Sequence, residues 1–439
     1  MKKALSVILT LAIALSMVTM AFAENEPKYT IINPYAGVDW EKSETYKACL
    51  HCHTDASDGE CPLKEWLGLY YAAGYDILAV TDHGVINNGW DKEKKTNGIF
   101  NLFKKVTPLT EEEYNYFTTG VDRDGRGMID ITGGIETNMA VVSKVHVNGY
   151  FTTWGQGVWG TENDYRSAPA AIEKAGGFSV LNHIGDWVNS NNYPERAHEA
   201  FYINYFANIF KDYKSCLGME IINNTDNCTR ADRELWDELL QVVIPTGRNI
   251  WGFADDDSEY RDEVGRSFEL FPMQENTVEN VKEAMQSGAF FAASKYQKNT
   301  KRTDEIEGDG LVPIVTNIVA QNDKISVTVD PDRSCTGIEW VADGKVISND
   351  FTLDLNEHAD EIGCYVRFVL KGTGGVTYSQ AFELQYEGRV DKEIPASPIP
   401  DNFFGKILTF FYQTLPSALM ELIVEKVLCK IGYLPKAAA

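Results

Sequence analysis

The sequence predicts an α/β chain in which a closed or nearly closed barrel precedes a small all-β domain and a helical tail. Three observations predict it. Short apolar runs alternate with helix-like segments from residue 46 to about 294, and seven or more such repeats favour a sheet closed on itself. Beyond residue 294 the helical pattern stops and strand-like alternation takes over. The runs of the first region also end repeatedly in His, Asp or Glu. Polar groups thus collect at the carboxyl ends of neighbouring strands, where barrel enzymes keep their active sites.

Residues 47–54 (KACLHCHT) read as the first barrel strand. His51 and His53 stand two apart and share a face, which sends Cys52 the other way. A helix follows over 62–74, then a buried strand over 76–83 that ends in Thr81-Asp82-His83. Further strands are predicted at 128–136, 145–151, 178–183, 218–223, 250–255 and 268–273, and helices at 168–175, 230–243 and 277–287. Between them Asp122-Arg123-Asp124-Gly125-Arg126-Gly127 hints at a calcium loop. Arginine in the fifth place and no glutamate in the twelfth reduce it to a turn.

Glu136, His146, His183, Glu220 and the run Asp255-Asp256-Asp257-Ser258-Glu259 continue the theme of polar strand ends. Five of the seven histidines fall at one barrel mouth, with His198 and His358 elsewhere. Imidazoles and carboxylates together are ligands for zinc, manganese or iron. A carboxylate set among several histidines holds two cations close together.

The chain has 439 residues, enough for two domains, and a formal net charge of −24. That charge repels phosphate backbones and speaks against a nucleic-acid polymer as partner. Lys2 and Lys3, an apolar run to about Met20 and Ala21-Phe22-Ala23 predict a signal peptide over 1–23 and a secreted or cell-surface protein. Export permits disulfides, and Cys216 with Cys228 and Cys335 with Cys364 are the pairs expected to clip local loops, with buried free thiols as the other reading. The barrel is expected over 24–300 and a small immunoglobulin-like sandwich over 301–388, where strands are separated by turns such as Ala342-Asp343-Gly344. A Pro-rich linker follows over 389–402 and an amphipathic helical tail over 403–439. Residues 403–434 are broken by Pro416 and suit a surface contact with protein or membrane better than a membrane span.

The string His51-x-His53-x-x-x-Ser57-Asp58-Gly59, then Thr81-Asp82-His83, Gly134-Ile135-Glu136, His146, Asn182-His183-Ile184-Gly185 and the Asp-rich closing motif resembles the polymerase and histidinol phosphatase (PHP) family over roughly residues 46–296. Within it the chain is most similar to the carbaryl-type carbamate hydrolase branch. The resemblance implies a distorted barrel of about seven strands with two or three divalent metal ions. It assigns His51, His53, Glu136 and Asp257 to a first metal, with Glu136 bridging to a second held by His146 and His183, and Asp58 and His83 to a third. The family closes on Asp-x-His, whereas this chain reads Asp257-Ser258-Glu259, and Asp255 and Asp256 compete with Asp257 for the first place. Glu259 is the candidate oxygen ligand in place of that last histidine.

No GxSxG nucleophile elbow occurs, so a metal-activated water is the expected nucleophile. The expected substrate is a small phosphoester, with Arg266 and Lys295 as candidate anion clamps or, alternatively, plain solvated charges. A carbamate, ester or amide hydrolase with the same metals is the second reading. A non-catalytic binding protein with a decayed site is the third. Asp55, Asp82 and Asp186 are candidates to orient the imidazoles. The aromatic segments 150–166 and 187–210 either line a cleft or form a satellite core.

Overall fold

A computed structural model describes residues 27–94, 106–138, 144–158 and 164–399, with positions 405 and 407. The expected signal peptide, and residues 403–434 apart from positions 405 and 407, lie outside the described residues. The chain is a mixed α/β protein. Its first strands are β1 (Thr30–Ile32), β2 (Glu44–Cys49), β3 (Ile77–Leu78), β4 (Ile129–Asp130), β5 (Ile135–Thr137), β6 (Val147–Tyr150), β7 (Phe178–Leu181), β8 (Cys216–Asn223), β9 (Trp251–Asp255), β10 (Ser267–Met273) and β11 (Phe291–Ser294).

They fall into two sheets. One runs β5-β6-β7-β8-β9, and the other contains β11-β10-β2-β3-β4. The strand–helix alternation says nothing of strand direction, and β10 is antiparallel to both β2 and β11, as β6 is to β5 and β7. The helices Ser167–Lys174 and Val278–Ser287 lie in the connections of the antiparallel pairs β6–β7 and β10–β11, so a helix between two strands does not make them parallel here. Single bridges tie the two sheets together beyond their regular ladders: Cys52 with Ser258, His83 with Glu136, and Asn87 with Gly134. All three lie where the strands end in histidine or aspartate.

The helix Leu63–Ala72 packs through Leu63, Trp66, Leu67, Tyr70 and Tyr71, spaced three and four apart on one stripe. Every residue of β8 is buried, as expected of a strand covered on both faces. The helix Asp232–Val243 covers it from outside, near the expected 230–243. A helix at Glu111–Thr119 was not legible from periodicity, because only Phe117 of it is buried. Its sign in the sequence is the capping box of Thr110 with Glu113.

The expected β-rich region is present, and its pairing is not confined to itself. The strand Gly375–Tyr378 lies antiparallel on β11, with Ala292 opposite Tyr378, so one sheet of eleven strands runs from β4 through Tyr365–Gly372 and Phe382–Gln385 to β1. An open β11 edge would expose unpaired amides, and this ladder covers it. Val315–Gln321, Lys324–Val329 and Thr352–Asp354 form a separate three-stranded sheet. One continuous core joins Trp66 and Tyr70 to Trp340, Phe368 and Phe382.

Neither expected disulfide forms, and seven described cysteines are free thiols. Cys216 opens β8 and Cys228 lies beyond its far end, roughly 20 Å of extended chain away, against the ~6 Å a disulfide spans. Cys335 and Cys364 precede the antiparallel strands Gly337–Ala342 and Tyr365–Gly372, where Gly337 faces Lys371. The two thiols therefore sit at opposite ends of that ladder.

Candidate metal centre

Two tight approaches shape the turns that carry the donors. A Cβ on Gly59 would stand 2.2 Å from the His53 carbonyl oxygen, and one on Gly134 would stand 2.5 Å from that of Val80. Only glycine lets the Ser57-Asp58-Gly59 turn fold back on His53, or lets Glu136 come up against the segment that leads from β3 to His83. His183 (φ 27°) and Asp257 (φ 43°) adopt left-handed backbone that costs most residues energy. The His183 amide is held by Glu220 Oε2 at 2.7 Å and the Asp257 amide by the His51 carbonyl at 3.0 Å.

Glu136 is the hub. Its Oε2 lies 3.3 Å from His51 Nε2, 3.3 Å from His53 Nε2 and 3.1 Å from His83 Nδ1. Its Oε1 lies 3.2 Å from His146 Nδ1 and 3.5 Å from His183 Nε2, and accepts from Asn182 Nδ2 at 2.7 Å. Asp257 Oδ1 stands 3.0 Å from His51 Nε2 and 3.1 Å from His53 Nε2, while its Oδ2 accepts from Asn223 Nδ2 at 3.0 Å. Asp58 lies 3.5 Å from His53 and 3.3 Å from His83. Three donor groups result, each with ligand atoms within 4.8 Å of one another: His51, His53, Glu136 and Asp257; His53, Asp58 and His83; His83, Glu136 and His146.

The competition among the three aspartates is decided by geometry. Asp255 accepts from the Leu50 amide. Asp256 accepts from Tyr75 Oη and the amides of Gly265, Arg266 and Ser267. Only Asp257 of the three reaches the imidazoles. Glu259 stands outside the three donor groups. Its amide is tied to Glu263 and its carbonyl to Glu60, and burial together with the Asp58 charge raises its carboxyl.

The cluster fits cations. His51 donates from Nδ1 to Glu220 Oε1 at 2.6 Å, which leaves a bare Nε2 when the ring is neutral, 3.1 Å from His53 Nε2. Glu136 Oε2 is buried with no hydrogen bond, although three imidazole nitrogens lie within 3.3 Å of it. Burial opposes charge on His51, yet Asp257, Glu136 and Glu220 hold its imidazole well above the ordinary range. His183 is likewise pushed up to about 9, against burial, by Glu136, Asp257 and Glu220. Glu136 sits well below its usual value, burial being outweighed by His51, His146 and His83. The carboxylates thus favour positive charge at His51 and His183, where divalent ions would take the place of protons.

Of the expected orienting residues, Asp82 accepts from the Thr54 amide at 2.6 Å, from Ser57 Oγ and from Lys94 Nζ, so it fixes the turn after His53 and touches no ring. Asp55 and Asp186 are tied through their amides, to Cys61 and His183. Glu220 does the orienting: it serves the His51 ring, the His183 amide and Asn223 Nδ2 together. Glutamine there has one acceptor oxygen for these donors and turns an amide group toward an N–H. Glu220→Gln is therefore expected to weaken metal binding by about 10–100-fold in competition with a chromophoric chelator. Unchanged affinity would remove Glu220 from that role.

Neither expected anion clamp contacts the donor groups. Arg266 is engaged by Asn224 Oδ1 at 2.6 Å, Glu263 and Asp262, and Lys295 lies beside Gly265. Lys94, missed in the sequence, is a buried cation on Asp82. Among the described residues of the aromatic segments, Tyr165, Trp187, Tyr202, Tyr205, Phe206 and Phe210 belong to the core, with Trp187 stacked on Tyr205 at 5.3 Å and edge-on to Phe206.

No family model and no curated protein matches the chain. Among solved structures it is similar to a two-domain protein from Bacteroides vulgatus containing a predicted PHP-like metal-dependent phosphoesterase. The identity is 14%, covering 80% of this chain and 89% of that one, at a TM-score of 0.41. It is also similar to a lesion-specific endonuclease from Pyrococcus furiosus, at 11% identity over 55% of this chain and 56% of that one, with a TM-score of 0.32. Neither is described as a carbamate hydrolase, and at these scores neither likeness decides fold or chemistry.

Proposed function

We propose that the chain is a PHP-type metal-dependent hydrolase that acts on a small phosphoester. The observation that carries this reading is Glu136 Oε2, buried without a hydrogen bond and faced by three imidazole nitrogens. His51, His53, Glu136 and Asp257 would hold one cation, His146 and His183 a second through Glu136, and Asp58 with His83 a third. Bound divalent ions at such a site make hydroxide available near neutral pH and polarise an electrophilic oxygen. The protein's own part is placement. Glu220 fixes the tautomer of His51, while Asn182 and Asn223 hold the two central carboxylates in one rotamer. Side-chain exposure is 44% for Asp58, 18% for His83 and 19% for His146, against 0% for His51. Substrate therefore approaches from the Asp58–His83–His146 side.

The bridges of Cys52 with Ser258 and His83 with Glu136 support a distorted ring of seven strands, β2, β3 and β5 to β9. In the same reading, residues 301–388 are an immunoglobulin-like module capping it, the chain is exported, and residues 403–434 contact a protein or membrane surface.

A carbamate, ester or amide hydrolase with the same ions is the second reading, the carbaryl-type branch included. The engagement of Arg266 by two carboxylates favours it, because a phosphoester bears charge before attack and a carbamate carbonyl gains it only during attack. Assays of manganese-loaded protein on para-nitrophenyl phosphate, its bis-ester and an aryl carbamate separate the two. Turnover of the phosphoesters is expected, and turnover of the carbamate alone would overturn the choice. Less than one equivalent of metal after supplemented expression would sink both enzyme readings and leave a decayed site.

A further inference from the structure

Two lysines on the far side of the closing segment make an arrangement the metal centre does not use. Lys47, on β2, and Lys295, just past β11, are both half-buried. A Cβ built on Gly265 would meet nothing within 4 Å but their ammonium nitrogens, Lys47 Nζ at 3.9 Å and Lys295 Nζ at 4.0 Å. Gly265 is itself buried and holds a φ of 92°, so the position stays without a side chain.

Neither ammonium has a carboxylate partner among the described residues, in a chain with 64 acidic side chains against 40 basic ones. Lys47 Nζ makes one long bond, 3.5 Å to the Ala73 carbonyl, and rests 3.9 Å from the Tyr75 ring centre and 4.2 Å from that of Phe268. The nearby Asp256 accepts from Tyr75 Oη and the amides of Gly265, Arg266 and Ser267 on both its oxygens and makes no direct ion pair with either lysine among the described residues. Burial, helped by Lys295 and opposed by Asp256, brings the Lys47 amine down to about 8. Two converging cations with an open point between them, and with Asp256 bonded to other donors as the nearby carboxylate, are arranged to receive an anion.

We propose that Lys47 and Lys295 form a binding site for a small tetrahedral oxyanion, inorganic phosphate or the terminal group of a phosphomonoester, seated just outside Gly265. Such an ion places one oxygen at hydrogen-bond distance from each ammonium. The aromatic rings hold the Lys47 head in place. The site is separate from the metal centre, because successive side chains diverge: Asp256 faces the lysines and Asp257 the imidazoles. It stands whether or not the chain is a phosphoesterase.

The test uses full-length protein stripped of metal by chelator, so that phosphate has no cation to bind. Calorimetric titration with inorganic phosphate should show one site, weakened at least tenfold by Lys295→Met and unchanged by Glu136→Gln. Phosphate should also slow acetylation of Lys47 by acetic anhydride, read by mass spectrometry in the unmutated protein. Glycerol phosphate binding as tightly as phosphate assigns the site to monoesters, and phosphate binding alone assigns it to the free ion. Absence of phosphate binding, equal binding by Lys295→Met, or loss of binding in Glu136→Gln would overturn the proposal.

Discussion

Glu136→Gln should leave the protein folded and strip it of bound metal. Glutamine keeps the shape and can still meet Asn182, but it removes the charge that His51, His53, His83, His146 and His183 surround. Two cations sharing this carboxylate would then face each other with less compensation and one strong ligand fewer. The loss of turnover should exceed the roughly 10–100-fold that follows loss of an outer partner such as Glu220. Metal content by elemental analysis, circular dichroism and the phosphoester assay check the three parts. Activity within threefold of the parent would place the site elsewhere.

The residues that face one another at the centre were legible because strand geometry is local. A period of two puts His51 and His53 on one face, Glu136 lies in β5, His146 just before β6 and His183 just after β7, while His83 follows β3 by five residues and bridges to Glu136. What stayed hidden depends on pairing between distant segments. Nothing in the run Asp255-Asp256-Asp257 says that Leu50 and Tyr75 will take the first two carboxylates and leave the third for the imidazoles. Glu220 shows as one more polar residue in β8 until the His51 ring is set against it. Lys94 reads as one lysine in a charged loop, and burial against Asp82 is what distinguishes it.

The fold divides in the same way. Strand positions follow from alternation, but direction and partner do not, so the antiparallel setting of β10 and the ladder of β11 with Gly375–Tyr378 could not be read. Aromatic density told of burial without telling what covers what. Trp187 and Tyr205 pack against each other in the core, where a cleft-lining role was the other option.

The second large effect lies far from the donors, where the helix Asp232–Val243 meets the strand Tyr365–Gly372. Asp237 accepts from Arg367 Nε at 2.7 Å, from Arg367 Nη2 at 2.6 Å and from Tyr365 Oη at 2.7 Å. The two charged side chains are 7% and 5% exposed, and the guanidinium lies 5.0 Å from the Trp236 ring centre. Asp237→Ala strands a guanidinium with no counter-charge in the seam between the helical layer and the β-rich region, which costs about 3–5 kcal/mol. Arg367→Met strands the carboxylate with only Tyr365 to meet it, at a similar cost. Removing both charges leaves neither stranded, so Asp237→Ala combined with Arg367→Met should be less destabilising than the sum of the two single changes. Guanidinium unfolding midpoints of the four proteins measure this. Metal content of the folded fraction should stay unchanged, because none of the donors touches this pair. A double variant as unstable as the sum of the singles would mean that packing against Trp236, and not the buried charge pair, holds the seam.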